Sequence, residues 1–174
     1  YSYIGEYMKK IILYLLFGIL LFSFIDRVKA STDTAYSYVL MDMDNGRVYE
    51  SKNKDKPMLI ASISKIMTCI IAIENKDIEE EVVVDVSIKD SYGSGIYISV
   101  GEKIKLKDLL YGLMLRSGND AAKMIASYVA SSEEEFVKLM NKKALELGMK
   151  NTTFYNASGL DNNTQGNLST AYDM

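Results

Sequence analysis

Ala61-Ser62-Ile63-Ser64-Lys65-Ile66-Met67-Thr68 is the stretch on which the reading of this chain turns. From Ile63 onward the apolar residues Ile66, Met67, Ile70 and Ile73 recur at helical spacing, which predicts a helix from near Ser62 to about Glu74. Ser62 and Lys65 are almost one turn apart, so hydroxyl and amine share a face. A serine hydroxyl is a poor nucleophile until something takes its proton, and a lysine made neutral by burial can take it. The start of a helix also aims backbone N–H groups and a positive dipole end at the site, which favours an oxyanion formed there.

Spacing by itself carries little weight. Ser51-Lys52-Asn53-Lys54 repeats the S-x-x-K pattern and contains S-x-N, but lies in a charged loop where a lysine keeps its proton. Ser62 and Lys65 sit among Ile60, Ile63, Ile66 and Met67. The plain alternative for Ser62 is a helix N-cap.

The chain has no His and one Cys, Cys69. A Ser-His-Asp triad or Cys-His pair within it is excluded, since both use an imidazole as base. The usual thiolate and imidazole metal ligands are missing too, so neither a metal nor a cofactor is expected. Cys69, four residues past Lys65 on the same helix face, reads as a buried inert thiol.

The 174 residues, 48% hydrophobic and 25% charged with one Pro, have the composition of an ordinary globular domain. The net charge is −3, and the body after residue 30 is more acidic still, because Lys9, Lys10, Arg27 and Lys29 outnumber Glu6 and Asp26 before it. No basic stripe exists to attract nucleic acid. Met8, Lys9-Lys10, the apolar run Ile11 to Ile25 and Val28-Lys29-Ala30 form the three regions of an export signal with cleavage after Ala30. The run is short of the ~20 residues that cross a bilayer. An uncleaved signal acting as an anchor is the alternative. The expected division is 1–30, an upstream extension and signal peptide, and 31–174, an exported but incomplete catalytic domain.

Two β-rich runs, Ala35 to Met41 and Arg47 to Glu50, flank Asn45-Gly46 and predict a hairpin. A loop to Pro57 follows, and Val82-Val83-Val84 with Val86 suggests a strand. Leu106 to Met114 and Ala121 to Ala130 read as helices. Another begins after Ser131-Ser132, with Glu133, Glu134 and Glu135 in its first turn, and ends at Gly148.

Ser117-Gly118-Asn119 lies between two of those helices. Its plain reading is a turn in which Asn119-Asp120 caps the next helix. Its functional reading sets a hydroxyl to pass a proton and an amide to hold a peptide carbonyl opposite Ser62 and Lys65. The sequons at Asn151, Asn156, Asn162 and Asn167 read as loop chemistry.

Together these residues resemble the low-molecular-mass penicillin-binding proteins of the serine-type D-alanyl-D-alanine carboxypeptidase family, which pair S-x-x-K with S-x-N and K-T-G. The likeness runs in order from the Ala61–Thr68 stretch through Gly101-Glu102, Asp108 to Leu113 and Arg116 to Ala122. It continues through Met140-Asn141, Ala144, Leu147 to Met149, Asn151 to Phe154, Asn156, Gly159 to Asp161 and Ser169 to Met174. It implies an α+β, penicillin-binding/β-lactamase-like transpeptidase fold, an antiparallel sheet with flanking helices plus a helical subdomain, truncated before the later strands. It also implies an acyl-enzyme on Ser62, with Lys65 as base, Ser117 assisting proton transfer and Asn119 holding substrate and Lys65. The implied partners are a peptidoglycan stem peptide ending in D-Ala-D-Ala and β-lactams as covalent inhibitors. The setting is the outer face of the bacterial membrane, with a C-terminal anchor or uncleaved signal as routes to membrane association. No Lys-Thr-Gly occurs in these residues, so the polypeptide alone is expected to be inactive and poorly stable. A β-lactamase and a non-catalytic penicillin sensor or cell-wall-binding domain are the competing readings; the E-x-x-L-N element of class A β-lactamases is absent.

Overall fold

A computed structural model of the chain describes residues 7–8, 10–14, 34–161 and 165–174. The chain divides into two units, Tyr1–Ala35 and Tyr36–Met174. In the first, the described residues 7–8 and 10–14 are helical. The expected cleavage region and most of the apolar run lie outside the described residues. Among those described, no helix is long and apolar enough to cross a membrane.

The second unit opens with the expected hairpin. Strands β1 (Tyr38–Met41) and β2 (Val48–Lys52) pair antiparallel, Tyr38 opposite Lys52 and Leu40 opposite Glu50, with an irregularity before Met41. Gly46 takes a φ of 70°, the left-handed conformation that Asn-Gly turns supply at low cost. The loop is longer than a two-residue turn: Asp42 N–H donates to the Arg47 carbonyl at 2.8 Å, and Asp42 Oδ1 accepts from Asp44 and Asn45 N–H.

Strand β3 (Met58–Leu59) leads into a 3-10 turn (Ala61–Ser64) and then helix α1 (Lys65–Asn75). Next come β4 (Glu81–Val83), a second 3-10 turn (Val86–Asp90), β5 (Lys103–Lys105), α2 (Leu106–Leu115), α3 (Asn119–Ala130), α4 (Glu133–Glu146) and β6 (Leu168–Ser169). β4 pairs antiparallel with β5, and β3 with β6. The helices fall where apolar periodicity and capping residues predict them. The short strands β3, β5 and β6 do not announce themselves, since two or three residues are too few to display a period of two.

The core lies among the helices. α3 packs against α1, α2 and α4. Its Ala121, Ala122 and Ala126 are fully buried, small side chains that let neighbouring helices come close. Leu106, Leu109 and Leu113 of α2, Ile71 of α1, and Phe136 and Met140 of α4 fill the space around them. The site-bearing starts of α1 and α3 are thereby seated on a packed base.

Helix α4 begins with a Ser-x-x-Glu cap, in which Ser132 Oγ accepts the Glu135 N–H at 3.1 Å. Ser132→Ala is expected to lower unfolding stability by about 1 kcal/mol, read from the urea midpoint at unchanged slope. An unmoved midpoint would show the cap to be energetically idle.

Candidate active site

The chain enters α1 through a forced turn. Ala61 has a φ of 44°, uncommon for a residue with a Cβ, and Ser64 Oγ donates to the Ala61 carbonyl at 2.7 Å. Just before it, Ile60 N–H donates to the Asn167 carbonyl at 3.0 Å, tying this turn to the segment that carries β6. The helix expected from Ser62 therefore opens as 3-10 and becomes α only at Lys65. Ser62 is exposed and its side chain caps no helix, so the plain N-cap reading does not hold.

Lys65, in contrast, is 2% exposed. Its Nζ lies 3.2 Å from Ser62 Oγ, 2.9 Å from Asn119 Oδ1 and 2.6 Å from the Ser158 carbonyl oxygen. Burial lowers its pKa from 10.5 to about 8. At pH 7 roughly a tenth of such a lysine is neutral, against roughly one part in three thousand for a solvated one. A neutral amine has two N–H bonds and one lone pair. Asn119 and Ser158 offer only acceptors, which occupy the N–H bonds and leave the lone pair for the Ser62 hydroxyl.

Asn119 reaches Lys65 from the first residue of α3. Its Nδ2 donates to the Tyr92 carbonyl at 2.7 Å and its backbone N–H to the Ser94 carbonyl at 2.8 Å. The neighbouring Asp120 carboxylate, buried to 7% exposure, accepts the N–H groups of Ile96, Tyr97, Ile98 and Ala121. Gly93 and Gly95 fit closely over these two side chains: a Cβ on Gly93 would come within 3.1 Å of Asn119 Nδ2, and one on Gly95 within 3.2 Å of Asp120. Of the two residues read as caps, Asn119 turns its side chain on Lys65, and Asp120 binds the 96–98 loop as well as the Ala121 N–H in the first turn of α3.

Ser117 stands at a φ of 55° and lines one cleft with Ser62, Lys65, Ile63, Ile66, Leu113 and Met114, a space of about 320 Å³. Among the described residues, the polar atoms bonded to Lys65 Nζ are Ser62 Oγ, Asn119 Oδ1 and Ser158 O, so Ser117 joins the site as a lining residue. The structure thus brings together all four expected residues. The look-alike pair falls apart: Lys54 Nζ pairs with Asp55 at 2.7 Å and lies 4.6 Å from the Tyr172 ring centre. Cys69 is half-buried, and burial pushes its thiol pKa up, against a nucleophilic role.

Sequence reasoning counted Asn156 and Gly159 to Asp161 within the family likeness but gave the 156–160 turn no part in the site. Its contribution to Lys65 is a backbone carbonyl, which leaves no side-chain signature, and Asn156 there looked like loop chemistry. The left-handed Gly159, at a φ of 74°, presses on the Ala61 carbonyl. A glycine three residues after that asparagine was a local sign of a close backbone approach.

Comparisons with known proteins agree with this geometry. A protein-family model described as D-alanyl-D-alanine carboxypeptidase matches residues 25–174. The D-alanyl-D-alanine carboxypeptidase DacF of Bacillus subtilis is 39% identical over 181 residues, which cover 96% of this chain and 46% of that protein. A crystal structure of D-alanyl-D-alanine carboxypeptidase from Mycobacterium tuberculosis superposes with a TM-score of 0.76 at 31% identity, over 80% of this chain and 52% of that one. Penicillin-binding protein D2 of Listeria monocytogenes, solved in a cefotaxime-bound form, gives a TM-score of 0.70 at 32% identity over 80% and 58%. The fold is the penicillin-binding, transpeptidase-like one that the resemblance implied. The chain spans less than half the length of the curated relatives it matches, 46% and 39% for two of them.

Proposed function

The chain belongs to the D-alanyl-D-alanine carboxypeptidase family, and from that membership we propose that it carries the nucleophile half of a serine-type active site that removes the terminal D-alanine from peptidoglycan stem peptides. Lys65 takes the Ser62 proton as Oγ attacks the carbonyl between the two D-alanines. The oxyanion is met by the Ser62 backbone N–H at the start of the 3-10 turn. As the C–N bond breaks, the proton on Lys65 passes by way of the Ser117 hydroxyl to the leaving amine. The released D-alanine leaves an ester on Ser62, which water hydrolyses with Lys65 again accepting a proton. Asn119 holds both Lys65 and the substrate backbone. β-Lactams acylate Ser62 through the same first step.

The observation that carries this reading is the placement of Lys65 Nζ, with Ser62 Oγ on one side and two carbonyl acceptors on the others. We read 8–30 as the export signal and 31–174 as part of a catalytic domain working at the outer face of the membrane. Support comes from the charged, apolar and small-residue regions of the N-terminus. Membrane association would come through an uncleaved signal or a C-terminal anchor.

Fluorescent penicillin applied to the full-length gene product, followed by peptide mapping, tests the assignment. The label is expected on Ser62 alone, with D-alanine released from a peptide ending in D-Ala-D-Ala. A label elsewhere removes the assignment. Labelling without D-alanine release would instead indicate a penicillin sensor, and rapid turnover of the label a β-lactamase.

A further inference from the structure

The shortest contact of Lys65 Nζ is the Ser158 carbonyl at 2.6 Å. That carbonyl shares one planar trans peptide unit with the Gly159 N–H, so the two point in opposite directions and turn together. The Gly159 N–H donates to Asn156 Oδ1 at 2.6 Å. One peptide plane is therefore gripped at both ends, by Lys65 and by Asn156. The peptide before it repeats the arrangement: the Ala157 carbonyl accepts from Thr68 Oγ1 at 2.7 Å, and the Ser158 N–H donates to Asn156 Oδ1 at 3.1 Å. Lys65 and Thr68 are neighbours on one face of α1, so the helix holds both carbonyl ends and a single side-chain oxygen holds both N–H ends.

Asn156 is itself fixed. Its Nδ2 donates to the Leu160 carbonyl at 3.1 Å. Its backbone N–H donates to Asn167 Oδ1 at 3.1 Å, and its carbonyl accepts from Asn167 Nδ2 at 2.9 Å. Asn167 is fully buried, and Glu133 at the start of α4 accepts the Ala157 N–H at 3.0 Å. Asn156, Asn167 and Glu133 are not among the residues that line the cleft containing Ser62.

We propose that Asn156 is a positioning residue for acylation, acting through the Ser158–Gly159 peptide plane to hold the Lys65 amine with its lone pair on Ser62. The inference rests on the reading of Ser62 and Lys65 as nucleophile and base. Without the Asn156 oxygen both peptide planes lose the acceptor at their N–H ends, and the carbonyl that occupies one N–H of the amine can swing off line. The amine then loses its orientation, while the cleft surface that meets the ligand is unchanged. The loss should fall on the chemical step.

The test is stopped-flow acylation of the full-length protein by fluorescent penicillin, resolving the non-covalent dissociation constant from the first-order acylation constant. Asn156→Ala is expected to lower the acylation constant by about 10–100-fold, as small misplacements of catalytic groups do, and to change the dissociation constant by less than about 3-fold. Asn156→Ser restores an oxygen acceptor that caps the same N–H groups more weakly, and is expected to acylate about 2–5-fold more slowly than the parent at unchanged affinity. Parental acylation by Asn156→Ala overturns the proposal, as does a loss shared equally between the two constants. If Asn156→Ala fails to fold, Asn156→Ser decides: a lower acylation constant at unchanged affinity supports the proposal, and parental kinetics overturn it. Ser62→Ala is run in parallel. An unlabelled parent or a labelled Ser62→Ala brings down the underlying reading, whereas failure of the Asn156 series alone leaves that reading standing.

Discussion

Lys65→Met should reduce the acylation constant for penicillin by about 10²–10⁴-fold, the range general-base catalysis supplies. Methionine keeps the unbranched stem of the side chain and removes the amine placed to accept the Ser62 proton. The pH dependence identifies the cause. Burial holds the Lys65 pKa near 8, below its ordinary value, so in the parent the neutral fraction and the acylation rate should rise with pH and reach half-maximum near pH 8. In Lys65→Met that limb should vanish and leave a flat residual rate. The same shift has a sign for stability: between pH 8 and 10.5 the unfolded lysine binds a proton that the folded one does not, so the cost that burying this group imposes on folding shrinks as pH rises through that window. A Lys65→Met protein that kept the rising limb would assign the titration, and the base, to another group.

Gly159→Ala should be the most damaging single-methyl change in the turn. A Cβ there would lie 1.8 Å from the Ala61 carbonyl oxygen, 2.3 Å from its carbon and 2.9 Å from the Ser62 nitrogen, all backbone atoms that no rotamer change can move aside. The left-handed φ of 74° adds a cost of about 1–2 kcal/mol for an L-residue. Either the 156–160 turn or the turn bearing the nucleophile must give way. A stability loss of at least about 3 kcal/mol and an acylation rate lower by about 10²-fold are expected. Gly148→Ala is the control, because Gly148 has a similar φ of 76° with open space around it. It should show the conformational cost alone, in urea unfolding, with acylation at the parental rate. Equal effects at the two positions would mean that contact with Ala61 is unimportant.

The exposed apolar residues Ile63, Ile66 and Met114 border the cleft beside Ser62. They show why the nucleophile remains accessible while its partner lysine is buried one turn away: the helix presents Ser62 on its rim and turns Lys65 inward against α3. Exposure suits a hydroxyl that must meet a substrate. Burial suits an amine that must shed a proton.

By itself the sequence determined the helices α1 to α4, the first hairpin, the Ser62–Lys65 pair and the Ser117-Gly118-Asn119 element. Each is a local pattern: apolar spacing, Ser and Gly at helix ends, Asn-Gly in a turn, and two functional residues one turn apart. The spacing gave Ser51 and Lys54 equal standing, and an apolar setting separated the pairs before any geometry was known. Only the tertiary structure decided that the helix opens as a 3-10 turn, that Asn119 faces Lys65 rather than capping α3, and that the Ser158 carbonyl completes the lysine's surroundings. These depend on contacts between residues far apart in the chain. A backbone carbonyl is the same in every residue, and whether it meets a lysine is settled by the closure of the 156–160 turn against Ala61 and Thr68.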